Sequence, residues 1–345
     1  MKFVSFLNQQ GAERVGLIVN GRTFDLAMYG EALSHTVPST MAEFLQESGK
    51  NLDSARKIEQ ALKDGAYDKR QDDSQIKMLA PVPHPTSCRD AYAFRQHVAT
   101  ARRNRGVPMI AEFDQFPVFY FTNHNSIIGA GELIVESDHL EKLDFELEAA
   151  IVIGKNGRNI AAKDADSYIF GYTIMNDFSA RLLQMEEMKL NLGPAKGKDF
   201  ATAIGPYLVT PDELADHRID TLSGAQYDLR MTAKHNGKLI SEGNLKDMNW
   251  TFAEIIERAS YGVELFPGDV IGSGTVGTGC YLELNGTRTL EAKEKGETYQ
   301  PVWLASGDTI ELEITNLGSL SHTIVKADGN RSILAKKKPA ETAVV

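Results

Sequence analysis

Apolar and polar positions alternate with a period of two along much of this chain, and β-branched residues crowd the same stretches. GLIVNGRTFDL (16–26), DFELEAAIVIG (144–154) and GYTIMND (171–177) carry the pattern most plainly, and it predicts strands. Asn-Gly or Asp-Gly steps at Asn20-Gly21, Asn156-Gly157, Asn236-Gly237, Asn285-Gly286 and Asp328-Gly329 predict tight hairpins. GCYLELNG (279–286) therefore reads as a strand closing in a turn. Helical spacing of apolar residues is confined to 41–64, 91–104, 178–190 and 251–260. In PVPHP (81–85) each proline biases its predecessor away from helix, which makes the segment an extended linker. The pattern predicts a mostly β protein with some α: a small N-terminal β/α domain over 1–80 and a larger β-dominated domain over 86–337. The tail KKKPAETAVV is expected to fray.

Composition narrows the class. The 345 residues, 42% hydrophobic and 24% charged, suit a globular protein of about two domains that buries its own core. A net charge of −10 argues against nucleic acid or an anionic membrane as the main partner. An anionic substrate must then be drawn in by a local positive cluster. Cys88 and Cys280 are far apart, with no CxxC spacing, so neither a disulfide framework nor a zinc ribbon is available. The opening MKFVSFLNQQ is too short for a signal-peptide core, and no run approaches 18 apolar residues. A cytoplasmic protein is expected.

The candidate chemistry is acidic. On a strand, Glu146 and Glu148 fall on one face, where they repel unless the face is exposed or a cation lies between them. Asp177 ends a β-like run and is either a helix N-cap or a ligand; Arg181 and Gln184 follow it on one helical face. Asp90 occupies another apparent helix start, and His97 lies two turns on, either a surface or satisfied core histidine or a catalytic one. Three acidic stretches at element edges would build an all-oxygen site for Mg²⁺, Ca²⁺ or Mn²⁺ and not for zinc. Gly272-Ser273-Gly274-Thr275-Val276-Gly277 matches GxGxxG but does not open the helix of a βαβ unit, so it is not a dinucleotide fingerprint. Cys88 and Cys280 read as small buried hydrophobes, and Lys336-Lys337-Lys338 as a solvated tail.

RDAYAFRQH (89–97), FPVFYFTN (116–123), DFELEAAIVIGKNGRNI (144–160), GYTIMNDFSARLLQ (171–184), GKDFATAIGPYLV (197–209) and SGTVGTGCYLELNG (273–286) together resemble the fumarylacetoacetate hydrolase family over essentially the whole chain. The resemblance implies a small N-terminal SH3-like β-barrel domain, a C-terminal mixed β-sandwich roll and a homodimer. It implies a divalent cation held by Asp90, Glu146, Glu148 and Asp177. His97 is similar to the family's general base and Glu283 to the carboxylate that orients it; Arg181, Gln184 and Lys198 match oxyanion-stabilising positions. Tyr92, Tyr120 and Thr275 match substrate contacts. ARRNRGVPMIAEFDQFP (101–117) departs from the family pattern, leaving Arg102, Arg103 and Arg105 as alternatives for the distal end of the substrate. The expected activity is metal-dependent hydrolysis of a carbon–carbon bond in a β-diketo acid such as fumarylacetoacetate, in aromatic amino-acid or ring breakdown. Acylpyruvate hydrolysis, oxaloacetate decarboxylation and hydration or isomerisation of meta-cleavage products are the alternatives, and the pairing of His97 with Glu283 favours hydrolysis.

Overall fold

Leu147–Ile153, Ile169–Asp177 and Thr202–Val209 consist almost entirely of apolar or small residues. In the computed structural model, which describes residues 1–65, 76–329 and 331–336, they lie antiparallel at the heart of one large sheet. Such continuous apolar runs are what burial on both faces requires. The sheet runs Arg22–Asp25, Glu13–Val19, Lys2–Leu7, Thr202–Val209, Ile169–Asp177, Leu147–Ile153, Val270–Gly272, Cys88–Ala91 and Phe119–Thr122.

Two cores follow from the two faces. Ala149, Ile151, Ile153 and Ile174 pack in one with Met231, Leu312 and Leu320 of a second, five-stranded sheet. Ala150, Val152, Phe170 and Leu208 pack in the other with Phe44, Ala55 and Ile58 of the N-terminal helices Met41–Gln46 and Ser48–Lys63. The result is a mixed, sheet-rich α/β architecture.

Several expectations change. The N-terminal strands close no barrel, and none is found among the described residues. Lys2 and Phe3 pair with Val209 and Leu208, so these strands form one end of the open sheet, which runs across the 81–85 segment. Of the five predicted turns, Asn20-Gly21 and Asn236-Gly237 make hairpins with both residues at positive φ. Asn285-Gly286 lies inside the helix Tyr281–Glu294, not in a hairpin. Asp90 is on the strand Cys88–Ala91, and the helix after it starts only at Arg95. The 41–64 helix breaks at Glu47, and the helix after Asp177 spans Arg181–Met188. Lys337, Lys338 and the rest of the tail lie outside the described residues.

Candidate functional site

Neighbouring strands gather the acidic side chains on one face. Residues 148, 150 and 152 share a side of their strand; Met175 and Asp177 share it on the next, and Cys88 and Asp90 on the strand beyond Val270–Gly272. Gly272, in register between Ala150 and Asp90, is a glycine for a steric reason: a Cβ there would lie 2.5 Å from Asp90 Oδ1 and 2.8 Å from Met175 Sδ. Asp90, Glu146 and Glu148 are buried, and each brings a carboxylate oxygen within 4.8 Å of the others. Asp177 adjoins them; its Oδ2 is 2.8 Å from Lys198 Nζ and accepts from the Tyr120 hydroxyl. Thr275 Oγ1 donates to Glu148 at 3.3 Å, and the Gly274 amide donates to Asp90 at 3.1 Å.

Two cations stand among these carboxylates. Arg181 donates to Asp144 at 2.8 Å, to Glu146 at 2.8 Å and to Gln184 at 3.0 Å. Lys198 donates to Glu146 as well as meeting Asp177. Full ionisation of Asp90, Asp144, Glu146, Glu148 and Asp177 against Arg181 and Lys198 would leave three uncompensated negative charges in the interior. The cluster divides accordingly. Burial opposes ionisation of Glu146, but Lys198 and Arg181 overcome it and hold that carboxyl at about 2. Burial and the charge of Asp177 push Asp90 up to about 8. Glu148 is pushed well above the usual range by burial and by Asp90 and Glu146. Two buried oxygens, Glu148 Oε2 and Asp177 Oδ1, have no hydrogen-bond partner. An all-oxygen cluster with excess negative charge, unpaired buried lone pairs and a glycine-made recess fits a hard divalent cation.

The candidate base lies beside this cluster. His97, on the helix Arg95–Asn104, has Nδ1 2.6 Å from Glu283 Oε2, and both are buried. Tyr92 meets the imidazole edge-on at 5.7 Å. Glu283 reaches it from the first turn of the helix Tyr281–Glu294. The Asn285-Gly286 signal that suggested a hairpin has a packing cause. Gly286 lets the two helices approach, since a Cβ there would lie 2.5 Å from Asn104 Nδ2, and Asn285 bonds the backbone of Val302 with both ends of its amide.

Of the three alternative arginines, Arg102 bonds the Pro108 carbonyl and Arg103 bonds Thr287 at 3.1 Å. Arg105 donates to the Ala101 carbonyl at 3.1 Å, and its charge reaches Tyr92, where it opposes the burial that pushes the phenol up to about 12.

Sequence reading missed four supporting residues. Asp144 accepts from Arg181 and from the amides of Tyr281 at 2.7 Å and Leu282 at 2.9 Å, so it joins the arginine to the helix that carries Glu283. Its signal was in the sequence, because it shares the even-numbered register of Glu146 and Glu148. Asn176 accepts from the Glu146 amide at 2.9 Å. Glu187 accepts from the amides of Ala195, Lys196 and Gly197 at 2.9, 2.6 and 3.1 Å, and so fixes the loop that presents Lys198. Cys280 is more than filler: it lies within 4.8 Å of His97 and Glu283.

The chain is similar to known proteins. The family model described as fumarylacetoacetate (FAA) hydrolase C-terminal matches residues 86–325. An oxaloacetate tautomerase of Bacillus subtilis is 29% identical over 328 residues, covering 90% of this chain and 95% of its own length. Fumarylacetoacetate hydrolase domain-containing protein 2 of Pongo abelii is 30% identical, covering 85% of this chain and 82% of its own. Among solved structures, a putative HpcE protein from Mycobacterium smegmatis matches with a TM-score of 0.71 at 23% identity, covering 95% of this chain and all of that one. Maleylpyruvate hydrolase from Sphingobium sp. SYK-6, in complex with manganese(II) and pyruvate, matches with a TM-score of 0.65 at 21% identity and the same coverage.

Proposed function

The chain belongs to the fumarylacetoacetate hydrolase family of metal-dependent enzymes, and from that premise we propose that it interconverts the enol and keto forms of a small 2-oxo dicarboxylic acid of the oxaloacetate class. The observation that carries the reading is the buried His97–Glu283 pair beside an acidic cluster whose cationic donors are already committed. The Bacillus relative named an oxaloacetate tautomerase supports it across 90% of the chain.

Asp90, Glu146, Glu148 and Asp177 would hold the divalent cation, which would supply Lewis-acid polarisation of the substrate's 2-oxo group. Glu283, as a carboxylate, keeps the proton on His97 Nδ1 and so leaves Nε2 as the base. Nε2 moves the proton between the substrate carbon and its oxygen. Arg181 and Lys198 keep Glu146 ionised, and Arg105 offers a cation toward Tyr92 for the distal carboxylate. No tetrahedral oxyanion forms in this reaction, which suits donors that are already bonded to carboxylates.

Hydrolysis of a β-diketo acid is the second reading, favoured by the same His97–Glu283 pair, which could equally activate water. The test follows the decay of enol-oxaloacetate absorbance with Mg²⁺ or Mn²⁺, alongside product analysis on a diketo-acid panel. Catalysed tautomerisation, abolished in His97→Ala, is expected. Uncatalysed enol decay together with cleavage of a diketo acid would transfer the assignment to hydrolysis.

A further inference from the structure

The acidic cluster accounts for the hard-cation chemistry and leaves one group beside it unused. Cys280 is completely buried, yet its sulfur, a ring nitrogen of His97 and a carboxylate oxygen of Glu283 all lie within 4.8 Å of one another. The three come from two elements packed together: His97 from Arg95–Asn104, Cys280 as the N-cap of Tyr281–Glu294, and Glu283 from its first turn. Sulfur, imidazole and carboxylate are the donor set of a borderline cation, whereas the adjacent Asp90, Glu146 and Glu148 set is oxygen only.

Opposing influences act on the thiol. Burial and the charge of Asp144 oppose its ionisation, whereas Arg181 and the backbone amide of Glu283 favour it. Without a metal, burial keeps the thiol protonated.

We propose that His97, Cys280 and Glu283 form a second metal site, selective for Zn²⁺-class cations over Mg²⁺, whose occupation silences the enzyme. On binding, the Cys280 thiol gives its proton to solvent and the sulfur becomes a ligand; no oxidation or reduction is involved. Both halves of the proton-transfer pair become ligands at the same time, so the base is consumed while the carboxylate cluster keeps its own cation. The silencing rests on the role proposed above for His97, but the binding does not.

The experiment therefore reads binding directly. The full-length protein, held in excess Mg²⁺ to fill the carboxylate cluster, is titrated with Co²⁺ as a spectroscopic stand-in for Zn²⁺, and the thiolate-to-cobalt charge-transfer absorption is followed. One equivalent is expected to develop the band, and Zn²⁺ to bleach it by displacement. Cys280→Ser should lose the band, and His97→Ala should weaken Co²⁺ binding at least ~10-fold. If Cys280→Ser does not fold, the His97→Ala titration decides alone. In parallel, Zn²⁺ should inhibit oxo-acid turnover under saturating Mg²⁺, with at least ~10-fold less potency in Cys280→Ser. Absence of the band, its survival in Cys280→Ser, or unchanged Co²⁺ affinity in His97→Ala overturns the site. Equal Zn²⁺ inhibition in wild type and Cys280→Ser, relieved by more Mg²⁺, also overturns it, because the zinc would then be competing at the carboxylates. A protein that shows the cobalt band but turns over no oxo acid keeps the site and removes the tautomerase reading.

Discussion

Cation affinity in this protein should depend steeply on pH, because the carboxylates that would receive the ion hold protons when the cluster is empty. Burial and Asp177 push Asp90 up to about 8, and burial with the neighbouring Asp90 and Glu146 pushes Glu148 well above the usual carboxylate range. A cation binds the ionised form, so each such proton must leave. With a group at about 8, the ionised fraction is near one half at pH 8 and near one hundredth at pH 6, so Asp90 alone weakens binding about 50-fold over that interval. Release of the Glu148 proton as well would raise the slope of log K against pH from about one toward two. The sign for stability follows from the same shift. A carboxyl raised in the folded state favours folding below its unfolded value, and that contribution is lost as pH rises through the folded value of about 8. The metal-free protein should therefore lose stability as pH rises from about 4 to about 8, and the cation should restore most at the alkaline end. Calorimetric titration with Mn²⁺ at pH 6, 7 and 8, in buffers of different ionisation enthalpy, gives both affinity and protons released. A dissociation constant flat across that range, with no proton release, would refute the assignment of Asp90 and Glu148 as ligands.

Three further outcomes test the supporting structure. Glu148→Gln removes one of the mutually repelling carboxylates, so the metal-free variant should melt at or above the wild-type temperature at pH 8 while Mn²⁺ no longer raises it; a normal Mn²⁺-induced shift would show that Glu148 is no ligand. Asp144→Asn leaves the buried Arg181 with Glu146 as its one carboxylate partner and places an amide against two backbone donors, which should cost about 2–4 kcal/mol and lower Tm by about 3–6 °C in a thermal scan. A change within 1–2 °C, roughly the noise of such scans, would mean that the network is not needed for stability. Glu187→Ala frees the loop that carries Lys198 and should slow turnover about 10-fold with KM little changed, partly rescued by Glu187→Asp; equal effects of the two variants would count against a positioning role.

The parts of the site that were legible in the sequence are those set by local periodicity. Period-two spacing places Glu146 and Glu148 together, and the change of pattern after Asp177 puts Arg181 and Gln184 on the helix that follows. The His97–Glu283 contact spans 186 residues, and no local spacing could reveal it; only the family resemblance joined the two. Errors arose where one residue type serves two purposes. Gly286 looked like a turn glycine and is a helix-packing glycine, while Gly272, in a run dismissed as a false nucleotide motif, clears space for Asp90. Asp90 looked like a helix start because its strand is short and the helix begins five residues later.

Lys198 separates the two reactions that this arrangement could support. Its ammonium is buried between Glu146 and Asp177, which raise its affinity for the proton against the opposing effect of burial. If hydrolysis is the chemistry, that ammonium must turn to a tetrahedral oxyanion, and its loss should slow turnover by about two to three orders of magnitude. If tautomerisation is the chemistry, it acts on the ground state, keeping two carboxylates ionised whether or not substrate is bound. Lys198→Met then removes a positive charge beside the cation, so Mn²⁺ should bind as tightly or more tightly at pH 8, and enol turnover should slow by no more than about 10-fold. Arg181 continues to hold Glu146 at 2.8 Å, and Tyr120 continues to donate to Asp177, so neither carboxylate is left without a partner. Calorimetry for the metal and steady-state kinetics for the enol, on the same preparation, separate the two effects. Turnover slowed by about a hundredfold or more, with Mn²⁺ affinity unchanged, would make Lys198 a transition-state donor and shift the assignment to hydrolysis.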